Sequence, residues 1–521
     1  MGLRRWCAAY VAAFLLASSI ASAQTFELLE STIDDLHAAL ASQQITCQDV
    51  VQRYLNRIEA YDKADLALNA IQYVNPGALQ AAVALDEAFS ASGLVGPLHC
   101  VPVLLKDQVE TRDMPTTYGS ALFEGFVSGR DATIVTRLQE AGAFILAKTN
   151  MGEFANGYVG SAFGAIRNAY DPTRNPSGSS GGTAVGVAAN FGLVGIGEDT
   201  GGSIRGPAAV HSLVGLRPTV PLVSRHGMLP GKPSMDTLGP ITRTVRDAAR
   251  MLDVLAGYDS NDPVTAYSVG RLPDSYVDGL DTESLRGARI GVIREPMHSQ
   301  ADPDSDDYKQ VRAVIDGAID DLRSLGADVV DPVVVPDLQS VELAYTENNF
   351  ETEQAVDEYL AQHDGAPVKT LKDILVSGVV TPWRANGLVN VVGLSIDDQG
   401  YLSILEANEQ IRRNVLNVMA EHELDALVYA TFDHQTTTIA PDALTSPHTE
   451  DAYGRGNNRR LSPVTGFPAL TVPAGFTADA LPVGLEFLGR PFTEATLLGL
   501  AFAYEQGTER REPPATTPAL P

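Results

Sequence analysis

Positive charge is scarce in this sequence. Of its 521 residues, 37 are lysine or arginine and 65 are aspartate or glutamate, which gives a formal net charge of −28 at pH 7. An acidic surface repels nucleic-acid phosphates and anionic lipids, so neither nucleic acid nor a membrane surface is an expected partner. The hydrophobic fraction of 44% is that of an ordinary globular chain and excludes a largely disordered protein.

Cysteine is also rare. The sequence contains only Cys7, Cys47 and Cys100, and it has no Cys-x-x-Cys motif or histidine–cysteine cluster with metal-ligand spacing. We therefore predict no metal site. Cys47 and Cys100 are able to pair in an oxidising compartment, but nothing nearby in the sequence brings them together. We expect two separate buried thiols.

Long apolar runs are missing after the first 23 residues. Arg4 and Arg5 precede an apolar run at residues 6–16, and Ala21-Ser22-Ala23 follows it. This pattern is typical of a signal peptide, residues 1–23, that is cleaved after Ala23. The run is shorter than the roughly 20 residues that span a bilayer. We therefore predict export to the periplasm or the extracellular space, with a membrane anchor as the alternative.

The rest of the chain alternates helical and strand patterns, which is typical of an α/β sheet. Short buried strands are predicted at residues 101–105 and 144–147, and again near the end of the chain at 468–473 and 481–488. The region of about 255–450 is more helical, with helices at 308–326 and 402–422. We expect it to form a cap within a single domain of residues 24–511. The proline-rich tail, residues 512–521, is predicted to be disordered.

Three features predict one catalytic site. Lys106 ends a buried strand, residues 178–182 read Gly-Ser-Ser-Gly-Gly, and residues 199–205 form a second glycine-rich loop that contains Ser203. A serine hydroxyl attacks an amide only when a base removes its proton, and a lysine is such a base when burial lowers its pKa. Glycines let backbone N–H groups converge on the oxyanion. This combination indicates hydrolysis of carboxylic amides.

The same residues resemble the amidase signature family. The likeness is carried by Asn175-Pro176-Ser177-Gly178-Ser179-Ser180-Gly181-Gly182 and by Gly197-Glu198-Asp199-Thr200-Gly201-Gly202-Ser203-Ile204-Arg205. Further matching blocks follow the family order at residues 104–107, 114–120, 147–155, 239–244 and 466–475. The resemblance implies an α/β/α sandwich with a large mixed central β-sheet covered by helices, and a reaction that needs no cofactor.

The resemblance also implies a role for individual residues. Ser203 is the expected nucleophile, and Ser179, preceded by a cis peptide bond, is expected to pass its proton to Lys106. The following residues are expected to hold the oxyanion through backbone N–H groups: Thr200, Gly201, Gly202 and Ser203. Asp199 and Arg205 are expected to support that loop, and the residues expected near the substrate are Tyr118, Phe154 and Ala155.

Ser180, Lys148 and Glu198 lie in or near the matched blocks, and each is interpreted separately. Ser180 and Lys148 are expected to be structural, because the family spacing favours Ser179 and only Lys106 is followed by the aspartate of the family pattern. Glu198 departs from that pattern, since many relatives carry a small hydroxyl residue there. The hydrogen bonding of the nucleophile loop is therefore open at this position.

Other functions remain open. Residues 178–182 also fit Gly-x-Ser-x-Gly, the nucleophile motif of Ser-His-Asp esterases, with Ser180 as nucleophile. The partners would come from His422, His434, His448, Asp425 and Asp433. A catalytically silent exported binding protein is a second alternative. The amidase subunit that supplies ammonia for glutaminyl-tRNA formation is a third, but export opposes it, and Arg459 and Arg460 lie where an acidic residue is expected.

The substrate is not determined by these patterns. Peptide amides, aryl amides, aliphatic amides and urethanes all remain candidates, and esters and carbamates present similar carbonyl groups. We expect a small-molecule amide, ester or carbamate as the partner of this site. For the assembly we expect a monomer or a homodimer.

Overall fold

The computed structural model describes residues 26–63, 66–447 and 456–520. The predicted signal peptide lies outside this part of the chain. None of the helices in these ranges combines the length and the hydrophobicity that a membrane span requires.

A mixed sheet of eleven strands runs through the described part of the molecule. Its strand order is β1-β3-β2-β6-β8-β7-β12-β13-β11-β9-β10, and β4 and β5 form a separate two-stranded ribbon. The strands are β1 (Ile71–Val74), β2 (Pro102–Lys106), β3 (Phe144–Thr149), β4 (Val159–Gly160), β5 (Gly164–Ala165), β6 (Val194–Asp199), β7 (Val214–Arg217), β8 (Thr237–Thr242), β9 (Arg289–Ile293), β10 (Asp328–Val333), β11 (Ala426–Ala430), β12 (Ala469–Phe476) and β13 (Pro482–Leu488).

Helices cover this sheet. In chain order they are α1 (Ile33–Ala41), α2 (Cys47–Tyr61), α3 (Ala78–Ser92), α4 (Thr133–Glu140), α5 (Gly181–Ala188), α6 (Arg205–Ala209), α7 (Val245–Leu255), α8 (Asp306–Ser324), α9 (Ser340–Thr346), α10 (Thr352–Ala361), α11 (Leu371–Val376), α12 (Pro382–Val389), α13 (Gln399–Glu421), α14 (Leu461–Thr465) and α15 (Glu494–Thr508). The prediction of an α/β/α sandwich with a large mixed sheet is confirmed.

The centre of the sheet explains how the site is assembled. Strands β2, β3 and β6 are buried along their whole length, as expected for strands covered on both faces. Strand β2 pairs in parallel with β3 on one side and with β6 on the other. The carboxyl ends of parallel neighbours meet at one edge of a sheet, so the residues that end these strands lie together.

The predicted helical cap is only partly correct. Helices α8 and α13 confirm the two expected there, but the same region also supplies β9, β10 and β11 to the main sheet. These strands were missed because each is short and lies between longer helical patterns. The helices that do form a cap, α10 to α12, pack against Phe123, Phe126 and Phe154 through Leu360 and Leu371.

The prediction of two separate thiols is wrong. Cys47 and Cys100 form a disulfide with Cα atoms 5.6 Å apart. The pairing was not visible in the sequence because 53 residues separate the two cysteines, and the contact forms only when α2 packs beside the segment that leads into β2. Thr46 caps α2, and its side chain accepts the Asp49 N–H at 3.1 Å.

The C-terminal tail is held in place, where its composition predicted disorder. Arg57 donates to the carbonyl oxygens of Thr517 and Pro518, each at 2.8 Å. Thr516 donates to the Ala169 carbonyl oxygen. These contacts to the body of the domain fix a segment that has no secondary structure of its own.

Candidate active site

Lys106 ends β2 and is fully buried. Its Nζ lies 2.8 Å from Ser179 Oγ, 2.8 Å from Glu198 Oε2 and 3.3 Å from the Glu198 carbonyl oxygen. Burial lowers the pKa of Lys106, against the opposing effect of the Glu198 carboxylate. The lysine therefore contacts a hydroxyl group in surroundings that favour its neutral form more than water does.

Ser179 precedes α5 and is nearly completely buried. The peptide bond between Gly178 and Ser179 is cis, as the family resemblance implied. A Cβ atom on Gly178 would lie 1.9 Å from the Gly157 carbonyl oxygen. Only glycine fits at that position, because another chain segment passes too close for any side chain.

Ser203 lies half-buried in the turn before α6 and lines a cavity of about 550 Å³. Gly178, Thr200 and Gly201 line the same cavity. The structure thus brings the loop of Ser179 and the loop of Ser203 to one cavity, at the edge of the sheet where Lys106 ends its strand.

Asp199 holds the Ser203 loop in shape. Its carboxylate accepts the N–H groups of Gly202 at 2.5 Å and Ile204 at 3.1 Å. An N–H group donates one hydrogen, so the Gly202 amide is not available for an oxyanion, and the expectation for Gly202 is corrected. Gly202 has φ +110°, a conformation that favours glycine. The expected oxyanion donors are reduced to Thr200, Gly201 and Ser203.

Buried arginines surround this loop. Arg205 and Arg217 pair with the Asp199 carboxylate, each at 3.2 Å. Burial by itself raises the pKa of Asp199, but the two guanidinium groups hold it below its usual range. Asp199 and Arg205 thus make the contacts expected of residues that support the loop.

Two further arginines hold the carbonyl side of the loop. Arg459 Nη1 donates to the Gly202 carbonyl oxygen at 3.0 Å, and Arg460 Nη1 donates to the Gly201 carbonyl oxygen at 2.6 Å. Neither arginine was predicted to contact this loop. Their position just before the matched block at 466–475 was the available signal.

The rest of the cavity is lined largely by residues between 342 and 391. Phe154 and Ala155, which were expected near the substrate, also line it. The prediction for Tyr118 is wrong: Tyr118 is fully buried behind Phe154, with ring centroids 6.5 Å apart, and its hydroxyl pairs with the Tyr359 hydroxyl at 2.9 Å. The lining residues that were not predicted from the sequence include Lys232, Tyr345, Trp383, Arg384, Asn386 and Asn390.

Tyr345 connects two cationic side chains at the cavity wall. Arg460 stacks on its ring with the guanidinium carbon 3.6 Å from the centroid, and Lys232 Nζ lies 4.3 Å from the same centroid. Burial lowers the pKa of Lys232 to about 7. Desolvation and the nearby Arg460 thus disfavour the charged form of Lys232, and the face of the Tyr345 ring offsets only part of that cost.

The described residues do not form a metal centre. Among them, no group of three or more histidine, cysteine, aspartate or glutamate side chains is placed to hold a metal ion. The polar groups at the cavity are hydroxyl, amide, guanidinium and ammonium groups with one carboxylate, that of Glu342.

A family profile described as Amidase matches residues 49–498. The chain belongs to the amidase signature family. Hydrolases of this family act on carbon–nitrogen bonds of amides, so the family prediction is confirmed.

Individual relatives agree with this assignment. A probable amidase from Arabidopsis thaliana is 32% identical, with 96% of this chain and 94% of the relative covered. A glutamyl-tRNA(Gln) amidotransferase subunit from Moorella thermoacetica is 36% identical, with 94% and 99% covered. The structure of native peptide amidase from Stenotrophomonas maltophilia superposes with a TM-score of 0.84 at 36% identity, with 94% and 99% covered.

Ser180 has the structural contacts expected of it. Its Oγ donates to the Glu198 carbonyl oxygen at 3.1 Å. In the alternative esterase, Ser180 would need a histidine, but His434 accepts the Asp302 N–H at 3.0 Å and pairs with Asp307 at 2.9 Å. His448 lies outside the described residues. Membership of the amidase signature family favours Ser203 over this arrangement.

Proposed function

We propose that this protein hydrolyses carboxylic amides through an acyl-enzyme on Ser203, with Ser179 and Lys106 as the proton relay. The observation that carries the proposal is the 2.8 Å contact between Lys106 Nζ and Ser179 Oγ inside a fully buried site. Ser203 lines the adjoining cavity, so the relay and the nucleophile belong to one site. A catalytically silent binding protein would have no need of a buried lysine directed at a hydroxyl group.

The reaction proceeds by acyl transfer. Neutral Lys106 takes the proton of Ser179 Oγ as Ser179 takes that of Ser203, and Ser203 Oγ bonds to the amide carbon. The N–H groups of Thr200, Gly201 and Ser203 stabilise the oxyanion. The proton returns through Ser179 to the leaving nitrogen as the C–N bond breaks. Water then attacks the ester by the same relay and releases the acid.

For the substrate we propose carboxamides of peptides or peptide-like molecules. The cap side of the cavity offers polar contacts from Arg384, Asn386 and Asn390 together with the aromatic rings of Phe154 and Trp383. Such a mixture suits a substrate with its own amide groups and side chains. Similarity to peptide amidase supports the same class. Esters and carbamates are expected as slower or incidental substrates.

A hydrolysis panel tests this proposal. Purified protein is assayed on a peptide carboxamide, an aryl amide, a small aliphatic amide and a urethane, with release of ammonia or amine as the readout. Ser203→Ala, purified in the same way, measures the background. We expect the peptide carboxamide to give the highest kcat/KM. Hydrolysis of every amide at the rate of Ser203→Ala would contradict the proposal.

We also propose that the protein is exported. The N-terminal pattern supports this, and so does the Cys47–Cys100 disulfide, because such bonds persist in oxidising compartments. Expression of the full chain, followed by fractionation and N-terminal sequencing, tests it. We expect a mature protein that begins at Gln24 and has no free thiol at either cysteine. An uncleaved cytoplasmic protein with two free thiols would contradict export.

A further inference from the structure

Glu198 contacts the candidate base directly, at a position where many relatives carry a small hydroxyl residue. It lies on β6, one residue before that strand ends, and β6 runs parallel to β2 with Leu105 opposite Ile196. This register places a fully buried carboxylate beside Lys106, with Oε2 2.8 Å from Nζ. The other carboxylate oxygen, Oε1, accepts the Thr200 hydroxyl at 2.6 Å. Glu198 thus joins Lys106 to the loop of the nucleophile.

The hydrogen bonds around Lys106 suit one orientation of a neutral amine. An amine has two N–H donors and one lone pair. Glu198 presents two acceptors to it, the carboxylate oxygen and its own carbonyl oxygen at 3.3 Å. When both N–H groups are used there, the lone pair is left for the third neighbour, Ser179 Oγ. Glu198 therefore orients the amine to accept a proton from that hydroxyl.

The charge of Glu198 acts on the same group. Burial raises the pKa of Glu198, against the effect of Lys106, and burial lowers the pKa of Lys106, against the effect of Glu198. Asp199 and Asp236 also act on Lys106, and both favour its charged form. Asp236 also raises the pKa of Glu198, and Arg217 is a cation within electrostatic range of the same carboxylate. Of these carboxylates, Glu198 makes the direct contact with Nζ, so its removal has the largest electrostatic effect on the lysine.

We propose that Glu198 is a positioning residue that orients Lys106 toward Ser179 and, through its negative charge, sets the pH above which Lys106 acts as a base. This inference deepens the proposed function and depends on the Ser203–Ser179–Lys106 relay. A neutral residue in place of Glu198 removes the attraction that keeps Lys106 protonated. The site then becomes active at lower pH.

The pH dependence of Ser203 reactivity can be measured with a fluorophosphonate probe, so no substrate needs to be known. Ser203 Oγ bonds to phosphorus, the P–F bond breaks and fluoride leaves, while the serine proton passes through Ser179 to Lys106. The second-order labelling rate is measured between pH 5 and pH 10 for the wild type, Glu198→Gln and Glu198→Ala. Glu494→Gln is the matched control, since Glu494 is a buried carboxylate that accepts the Thr219 N–H at 2.7 Å, on an element remote in sequence.

For Glu198→Gln we expect the acid limb of the labelling rate to move about one to three pH units lower, the shift that an opposite charge at this range produces. Its plateau should remain, because the amide oxygen accepts the same N–H group. Glu198→Ala should show the same shift together with a plateau about a hundredfold lower, because the amine is no longer oriented. Glu494→Gln should label as the wild type does.

Two outcomes would overturn the inference. One is an acid limb in Glu198→Gln that stays at the wild-type pH, which would mean that the carboxylate is merely structural. The other is an acid limb in Glu198→Gln that moves to higher pH, which would mean that the Glu198 carboxyl group takes up the proton released by the serines. Lys106→Met distinguishes failure of this inference from failure of the proposed function. Rapid labelling of Ser203 in that variant would contradict the proton relay itself. Melting temperatures of all variants establish that they fold.

Discussion

Two buried lysines end neighbouring parallel strands, and their surroundings differ. Lys106 ends β2 and Lys148 lies one residue before the end of β3. Both are fully buried, burial lowers the pKa of both, and each has a carboxylate partner, Glu198 for Lys106 and Asp107 for Lys148. Burial at a strand end therefore does not by itself identify a catalytic base.

The difference lies in what each ammonium group contacts. Lys148 Nζ donates to Thr116 Oγ1 at 3.0 Å and lies 3.6 Å from Asp107, whose other oxygen accepts the Thr117 N–H at 2.9 Å. This arrangement ties a loop to the sheet. Lys106 instead contacts a serine hydroxyl beside the cavity. Both lysines contact a hydroxyl group, so the position of that hydroxyl distinguishes them. Ser179 follows Gly178, which lines the same cavity as Ser203, whereas Thr116 does not line it. Lys106 is therefore the candidate base and Lys148 a structural anchor.

We expect the largest effect on activity from replacing Lys106, and not from replacing Lys148. Lys106→Met should lower amide hydrolysis about 10²- to 10⁴-fold, the usual contribution of a general base. It should lower the hydrolysis of an activated ester less, because that leaving group needs no proton. Steady-state kinetics on an amide and a p-nitrophenyl ester measure this. Equal losses on both substrates would argue against a proton relay.

The pH dependence of amide hydrolysis by the wild type tests whether Lys106 acts as the base. The base must be neutral, and the protonated fraction of Lys106 grows as the pH falls below its pKa. Amide hydrolysis should therefore fall about tenfold for each pH unit below that pKa, since one proton inactivates the site. A kcat/KM profile measures this. A rate that stays flat to about pH 4 would be inconsistent with a lysine base.

Lys148→Met should act on stability. The substitution leaves the Asp107 carboxylate buried without its cation, which typically costs about 3–5 kcal/mol. Urea denaturation monitored by circular dichroism gives the free energy of unfolding. The double variant Lys148→Met/Asp107→Asn is the control, and it should recover part of the loss. A fully stable Lys148→Met protein would show that the ion pair does not anchor the loop.

The disulfide should have a smaller effect. Replacing Cys47 and Cys100 together by serine should lower the free energy of unfolding by about 2–4 kcal/mol, since an open loop gains conformational freedom in the unfolded chain. Catalysis should remain, because β2 is still held between β3 and β6. Urea denaturation and the amide assay on the same preparation measure both quantities. A large loss of activity in a stable variant would mean that the bond positions Lys106.

Ser180→Ala should have the smallest effect. Among the described hydrogen bonds its hydroxyl makes two, both with the Glu198 backbone, and each contributes about 1 kcal/mol to stability. Amide hydrolysis should stay close to the wild-type rate. Loss of activity comparable to that of Ser203→Ala would revive the esterase arrangement around Ser180.

The parts of the site that lie within one short stretch of sequence could be located from the sequence alone. The loops of Ser179 and Ser203 and the strand before Lys106 were all located, because glycine clusters and apolar runs are local signals. The contact between Lys106 and Glu198 was not predicted, since it depends on the register of β2 and β6. Strands β9 to β11 and the disulfide depend in the same way on long-range packing.

The pocket was the least predictable part of the site. Tyr118 belongs to a matched block, but its side chain turns to Tyr359 in the cap and away from the cavity. Tyr345 and Arg384 come from the divergent middle of the chain and have no motif around them. Gly202 was expected to donate to the oxyanion because glycine-rich loops do so, yet its N–H is held by Asp199. Side-chain direction and competing acceptors appear only in three dimensions.

In the proposed mechanism Ser203 carries the acyl group, while Ser179 carries only its proton. Peptide mapping by mass spectrometry after reaction with a fluorophosphonate tests it most directly. The account predicts a single adduct on Ser203, formed quickly by the wild type, slowly by Lys106→Met and not at all by Ser203→Ala. An adduct on Ser179 or Ser180 in the wild type would contradict it.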